Sequence, residues 1–374
     1  MKRLLLFISA ALLSVAVTSC KCDPQKVLKA SNPAAGIIDA AQARTLNTLK
    51  NEKDSKLYYL DYKADYKLDA LLEQGSRSQK DIFDFITSNL LTVAPIHEEA
   101  EPACSAFKAV TPDGDVIYGR NLDFRFTYTL AMMLRTNPGK GARKSLGIAG
   151  LQFLKMPPAS LDDGKCDISP LIAAPYVTLD GMNDSGVAFS VLALSKGPST
   201  KQFDHGKKDI STTVAIRYVL DRATSVDNAI ELLSNYNMFA KSAESEKGSY
   251  HFLLADATGK CVVLEYILPE GEASSVMNVV DADCVTNGYL TEGWDEVCNG
   301  GADRLHTLRD RLAETGGVLT EEEAMQLLAS VSRGLNPAEL TSNTHWSVVY
   351  NLTKKTATVC VARDFENPIK YSLK

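Results

Sequence analysis

Residues 103–124 read ACSAFKAVTPDGDVIYGRNLDF, and the rest of the chain is interpreted outward from them. Two strand-like runs flank TPDGD, a cluster of turn-forming residues, so the stretch predicts a β-hairpin. If Asp113-Gly114 forms a two-residue turn, the pairing sets Cys104 directly opposite Asp123, with about 5 Å between their Cβ atoms. A longer loop shifts that register by one residue. Strict pleating turns Arg120 away from Asp123, so a bulge near Gly119 is expected if both serve one site.

One end of the hairpin therefore carries a thiol, a carboxylate and a guanidinium. The carboxylate alone raises the thiol pKa, the wrong direction for a nucleophile, and the arginine lowers it. A free α-amine on the cysteine itself, with a pKa of about 8, can accept the thiol proton. That arrangement requires a cut before Cys104. The preceding IHEEAEP is acidic and ends in proline, an exposed connection that leaves the Ala103–Cys104 bond accessible. On the residues alone, a buried structural cysteine is the competing reading.

The 374 residues are 45% hydrophobic and 23% charged, enough for one large domain or two small ones. A formal net charge of -6 without long runs implies neither nucleic acid nor an anionic membrane surface as partner. Residues 1–19 read as a secretory signal, with Met1-Lys2-Arg3 leading an apolar run that ends at Val17-Thr18-Ser19-Cys20. Small residues before a cysteine resemble a bacterial lipobox, which makes Cys20 the lipidated N-terminus of an exported chain tethered to a bacterial membrane. None of the eight cysteines shows CxxC spacing, so no metal site is expected. Cys261 and Cys360 lie in apolar strand-like runs and read as buried small hydrophobes. Cys284 and Cys298 are candidates for a disulfide.

Residues 20–103 predict a helical segment, with helical apolar spacing in AAGIIDAAQARTLNTL and LYYLDYKADYKLDALLEQ and a polar cap opening SQKDIFDFITSNLLTVAP. From Cys104 to residue 374 the pattern favours strands: the hairpin, APYVTLDGMN, GVAFSVLAL, YHFLLAD, GKCVVLEY, HWSVVYNL and TATVCVA. Helices are expected over ISTTVAIRYVLDRA, SVDNAIELLSNY and LTEEEAMQLLASVS, the last opened by a Thr320/Glu323 capping box. Hairpins at both ends with helices between them indicate an α+β class.

CSAF followed by GRNLDF resembles the start of the catalytic chain of cysteine N-terminal nucleophile hydrolases, the choloylglycine hydrolase and acid ceramidase superfamily. The likeness continues in order through LDGMNDSGVAFSVLAL, DCVTNGYL, GGADRLHTLRDRL and THWSVVYNLTKKTATVCV, covering residues 104 to about 362. It implies a four-layer αββα fold and hydrolysis of linear, non-peptide C–N amide bonds without a cofactor. Carried over by position, Cys104 is the nucleophile and its freed amine the base, Arg120 and Asp123 tune that pair, Asn287 donates to the oxyanion, and Arg304 is a later active-site arginine, with Arg309 a rival on the same helix. In bile-salt hydrolases a further asparagine lies ten residues after the one in GMN, a register that falls here on Ala193. The long segment before Cys104 is similar to the acid ceramidase and N-acylethanolamine amidase branch, in which a helical N-terminal piece is cut off autocatalytically and stays associated. Asp180 and Asn183 read first as turn residues and second as site-lining. Tyr128, Met132, Met133 and Phe153 to Met156 are candidates for lining an apolar substrate pocket.

The long pro-segment and the missing second asparagine favour a fatty N-acyl amide as substrate. Bile-salt hydrolase and penicillin V acylase activities are the alternatives within the class, and a lipid-anchored binding protein with a degenerate site is the alternative outside it. A papain-like protease would pair Cys104 with His345, but ACSAF lacks the context of a helix-borne nucleophile. Oligomeric state is left open.

Overall fold

The structure, a computed structural model, describes residues 38–90, 103–124, 129–156, 160–240, 247–334 and 343–374. Cys20, Tyr128 and the acidic connection lie outside them.

The N-terminal part contributes α1 (Ala40–Leu46), β1 (Lys50–Lys53), β2 (Leu57–Tyr62), α2 (Leu68–Gln74) and α3 (Gln79–Asn89). The hairpin follows as β3 (Ala103–Val110) and β4 (Val116–Asp123), then β5 (Ala131–Thr136), β6 (Ser145–Gly150), a 3-10 segment at Ser169–Val177, β7 (Thr178–Asn183) and β8 (Ala188–Pro198). Short β9 (Thr200–Lys201) and β10 (Lys208–Ser211) lead into α4 (Thr212–Arg222) and α5 (Val226–Ser234). Next come β11 (Tyr236–Ala240), β12 (Lys247–Ala255), β13 (Cys261–Ile267), β14 (Val276–Asp281), β15 (Cys284–Val285), β16 (Asn287–Gly288) and β17 (Asn299–Gly300). Helices α6 (Ala302–Glu314) and α7 (Glu321–Ser330) precede the last strands, β18 (Thr344–Asn351), β19 (Thr356–Val361) and β20 (Ile369–Ser372).

Two sheets pack face to face. One has nine strands in the order β1-β2-β5-β6-β7-β8-β12-β13-β14, the other six in the order β15-β3-β4-β18-β19-β20. Polar side chains tie them across the interior: the hydroxyls of Tyr118 and Ser190 meet, and Trp346 and Tyr350 donate to Asp180. The outer face of the six-stranded sheet is covered by α6 and α7, where Leu308, Leu312 and Leu328 pack on Phe107, Ile117 and Val349. On the nine-stranded sheet, α4 lies so close that a Cβ at Gly181 would stand 2.8 Å from Leu220 Cδ1. The result is the expected four-layer α+β sandwich, and each layer buries one apolar face.

The N-terminal segment departs from the expectation of an all-helical piece. Two of its helices form where capping signals stand: Asp39 and Gln42 box α1, and Ser78 and Asp81 box α3. LYYLDY is instead a strand, β2, paired in parallel with β5. Tyr58, Leu60 and Tyr62 alternate on its buried side, so period two outweighs the helical spacing that the same apolar residues also fit. In APYVTLDGMN the strand begins only at Thr178, after the 3-10 segment. All six cysteines among the described residues are free, Cys284 and Cys298 included.

Candidate functional site

The hairpin is regular, and its register differs by one from the two-residue-turn expectation. Cys104 stands opposite Leu122, and Ala103 opposite Asp123. The cause is the loop. Thr111 N donates to Asp115 O, and Gly114, at φ +86°, closes a three-residue connection that the Pro112-Asp113-Gly114 sequence suits. No bulge falls at Gly119, whose missing Cβ leaves room for the Phe107 ring. Pleating therefore places Arg120 and Cys104 on the inter-sheet face and Asp123 and Ser105 on the face toward α6. The site is assembled around the end of the strand pair rather than on one of its faces.

Cys104 is fully buried at the start of β3. Arg120 Nη2 lies 3.5 Å from its Sγ and also donates to Val191 O at 2.8 Å, while Nη1 donates to Asn121 O. Its Nε lies 2.9 Å from Asp180 Oδ2, both side chains fully buried. Asp180 is thus neither a turn residue nor a pocket wall. It is a strand residue whose carboxylate receives Trp346 Nε1 at 2.9 Å and Tyr350 Oη at 2.6 Å.

On the other face, Arg304 gathers the site together. Its Nη1 donates to Cys104 O at 2.6 Å and Ser105 Oγ at 2.8 Å, and lies 3.4 Å from Asp123 Oδ2; its Nη2 donates to Asn287 Oδ1 at 2.8 Å. Arg309, its rival, sits beside Cys284 instead. Asp123 is further held by the Thr344 hydroxyl at 2.5 Å. Asn287 Oδ1 also accepts the Cys104 N–H at 2.8 Å, and its Nδ2 donates to Ala193 O at 2.8 Å. With two donors on Oδ1, the amide oxygen grips the nitrogen of Cys104, and one of the two Nδ2 hydrogens goes to Ala193 O. Ala193, at the register of the absent asparagine, supplies that acceptor.

Burial pushes the Cys104 thiol up, Arg120 works against this, and Asp123 adds to it. Burial likewise raises Asp123 and Asp180, against the lowering charges of Arg304 and Arg120 respectively. Arg120 is held charged; burial opposes this, but Cys104 and Asp180 outweigh it.

The structure brings together Cys104, Arg120, Asp123, Asn287 and Arg304. It does not bring Asn183 to them: Asn183 Oδ1 accepts from Ser185 and Val187, and Nδ2 donates to Ala223 O, so it closes the β7–β8 turn. Met132 and Met133 are fully buried strand residues of the sheet core. His345 is a strand residue that packs edge-on against Phe124. Ser105 and Thr344 were missed as site residues and Asp180 was read first as a turn residue, although all three lie in the quoted motifs; no local signal distinguishes a buried acid that pairs with an arginine from a turn acid.

The chain matches known proteins as follows. The family model of linear amide C–N hydrolases, choloylglycine hydrolase family, covers residues 104–271, beginning at Cys104. The chain is 33% identical over 95 residues to penicillin V acylase of Pectobacterium atrosepticum, covering 24% of this chain and 25% of that protein. It is 27% identical over 166 residues to bile salt hydrolase/transferase of Clostridium perfringens, covering 43% of this chain and 47% of that one. The matched region thus spans less than half the length of either relative. An arginine-to-leucine variant of conjugated bile acid hydrolase from Clostridium perfringens shares the fold, with a TM-score of 0.52 at 18% identity over 72% of this chain and 92% of that one.

Proposed function

Since residues 104–271 match the family model of linear amide C–N hydrolases, choloylglycine hydrolase family, we propose that the chain is an amidase with Cys104 as N-terminal nucleophile, matured by cleavage of the Ala103–Cys104 bond. The observation that carries this reading is the grip of Asn287 Oδ1 on the Cys104 nitrogen, 2.8 Å away, with Arg120 reaching the thiol of the same residue. A structural cysteine needs neither. Cleavage turns that nitrogen into an amine, which takes the thiol proton. The thiolate then attacks the substrate carbonyl, the C–N bond breaks as the amine product leaves with a proton, and water hydrolyses the thioester to the acid and the free thiol. Arg304 and Asp123 fix the main chain of Cys104 while this happens.

The proposed substrate is an N-acyl amide with an apolar acyl chain. A small cavity of about 50 Å³ is walled by Ile82, Phe153, Tyr176, Leu179, Val191 and Tyr250, an apolar lining of the kind that ligand pockets show. It adjoins the site in two places: Val191 offers its carbonyl to Arg120, and Phe153 packs on Phe124, next to Asp123. Ile82 belongs to α3, so the segment before Cys104 helps wall the pocket.

That segment is proposed to stay bound after cleavage. β2 is hydrogen-bonded between β1 and β5, Tyr66 Oη bonds Asp221 at 2.6 Å, and Tyr62 Oη bonds Ile172 O at 2.8 Å. Anchoring to a bacterial membrane through lipidated Cys20 belongs to the same proposal.

Intact mass with N-terminal sequencing, wild type beside Cys104→Ala, tests the reading. Two fragments, one starting at Cys104, are expected from the wild type and one uncut chain from the variant. Uncut wild type under acidic and neutral reducing conditions would sink self-processing. A panel of N-acyl amides follows, and turnover confined to conjugated bile acids or penicillin V would overturn the acyl-chain assignment.

A further inference from the structure

Beyond the site lies a buried pair that the proposed reaction does not use: His251 on β12 and Glu265 on β13, each fully buried. The β12–β13 register, extended by one residue from Phe252↔Leu264, sets the two opposite each other. His251 shares the sheet face of Ser190, whose hydroxyl meets Tyr118, so it points between the sheets toward the nucleophile strand.

Every other partner of the pair belongs to one short segment. His251 Nε2 donates to Thr286 O at 2.8 Å, and its Nδ1 lies 3.3 Å from Glu265 Oε1. Glu265 Oε1 accepts the Leu290 N–H at 2.7 Å, and Oε2 accepts the Thr291 N–H at 2.9 Å and its hydroxyl at 2.5 Å. Asn287 sits inside the loop so held. Its own carbonyl receives the Cys298 thiol at 3.1 Å, and the Thr286 hydroxyl bonds the carbonyls of Gly300 and Gly301, next to the helix that bears Arg304. A buried ionisable pair gains little stability over apolar side chains of equal volume. This one is spent on fixing residues 286–291 at both ends.

We infer that His251 and Glu265 are positioning residues, a clasp that sets Asn287 and through it the nitrogen of Cys104. The inference rests on the proposed function for its kinetic consequence but not for its structural one.

Glu265→Gln keeps the shape of the side chain but presents an NH2 group to donors that need an acceptor, and His251→Gln removes the link between Glu265 and Thr286. In the matured enzyme, each variant that stays folded by circular dichroism is expected to lose about tenfold or more in kcat, the worth of one well-placed hydrogen bond to a charged group, with KM within about twofold of wild type. Unchanged kcat, or kcat and KM falling together, would overturn the clasp. A readout free of activity uses the uncut Cys104→Ala chain: hydrogen exchange at the residue 104 amide should quicken about tenfold in Glu265→Gln, while that of Tyr118, in the middle of β4, stays unchanged. Equal protection at residue 104 in both chains refutes the inference even if the protein proves to hydrolyse nothing. A wild type without turnover but with this exchange difference would refute the proposed function and leave the clasp standing.

Discussion

Removing either partner of the Arg120–Asp180 pair should destabilise the chain strongly, and removing both should cost much less than the sum. The two side chains are fully buried with Nε and Oδ2 2.9 Å apart, so Asp180→Leu leaves a guanidinium in the interior without its counter-charge, a loss of about 3–5 kcal/mol. Trp346 Nε1 and Tyr350 Oη lose their acceptor in the same step, each costing about 1–3 kcal/mol if it finds no other. Arg120→Met strands the carboxylate in the same way. In the double variant neither charge remains, so the two single losses should exceed the double loss by at least about 2 kcal/mol. The cycle is best run in the Cys104→Ala background, where no variant can process itself, by urea unfolding followed through circular dichroism with the m-value held constant. Additivity within about 0.5 kcal/mol would refute the coupling, and with it the view that Asp180 holds Arg120 in place beside the thiol.

Arg304→Lys keeps the charge but cannot span Cys104 O, Ser105, Asp123 and Asn287 at once, so self-cleavage followed by gel should slow at least about tenfold; an unchanged rate would remove Arg304 from the site. Burial raises the Cys104 thiol in the uncut chain, so the neutral form persists to higher pH than in an ordinary thiol. Alkylation of Cys104 by iodoacetamide, read by peptide mass, should therefore stay slow through pH 8 and accelerate only above the usual thiol range, and fast labelling at pH 7 would contradict this. If the N-terminal piece remains docked, the two fragments should co-elute in native size exclusion and separate only in denaturant; native separation would count against β2 as an anchoring strand.

Much of the site was legible because its signals are local. The turn residues of TPDGD, the caps at Ser78 and Thr320, and strand alternation each act over a few positions, and the order of motifs from Cys104 to the closing hairpin carried Arg120, Asp123, Asn287 and Arg304 with it. β5 and β6 escaped notice because AMMLRT and SLGIAG carry little strand-favouring side chain, and burial in the middle of the nine-stranded sheet supplies the reason for their pairing.

By itself, then, the sequence determined the hairpin and its loop, the layered α+β class and the short list of residues that the structure gathers around Cys104. Tertiary structure decided the rest: the insertion of β2 beside β5, the pairing of Asp180 with Arg120, and the turning of the Asn287 amide toward Cys104. These are choices among partners far apart in the chain. They are made when burial leaves each polar group only the acceptors and donors that other strands bring within hydrogen-bonding distance.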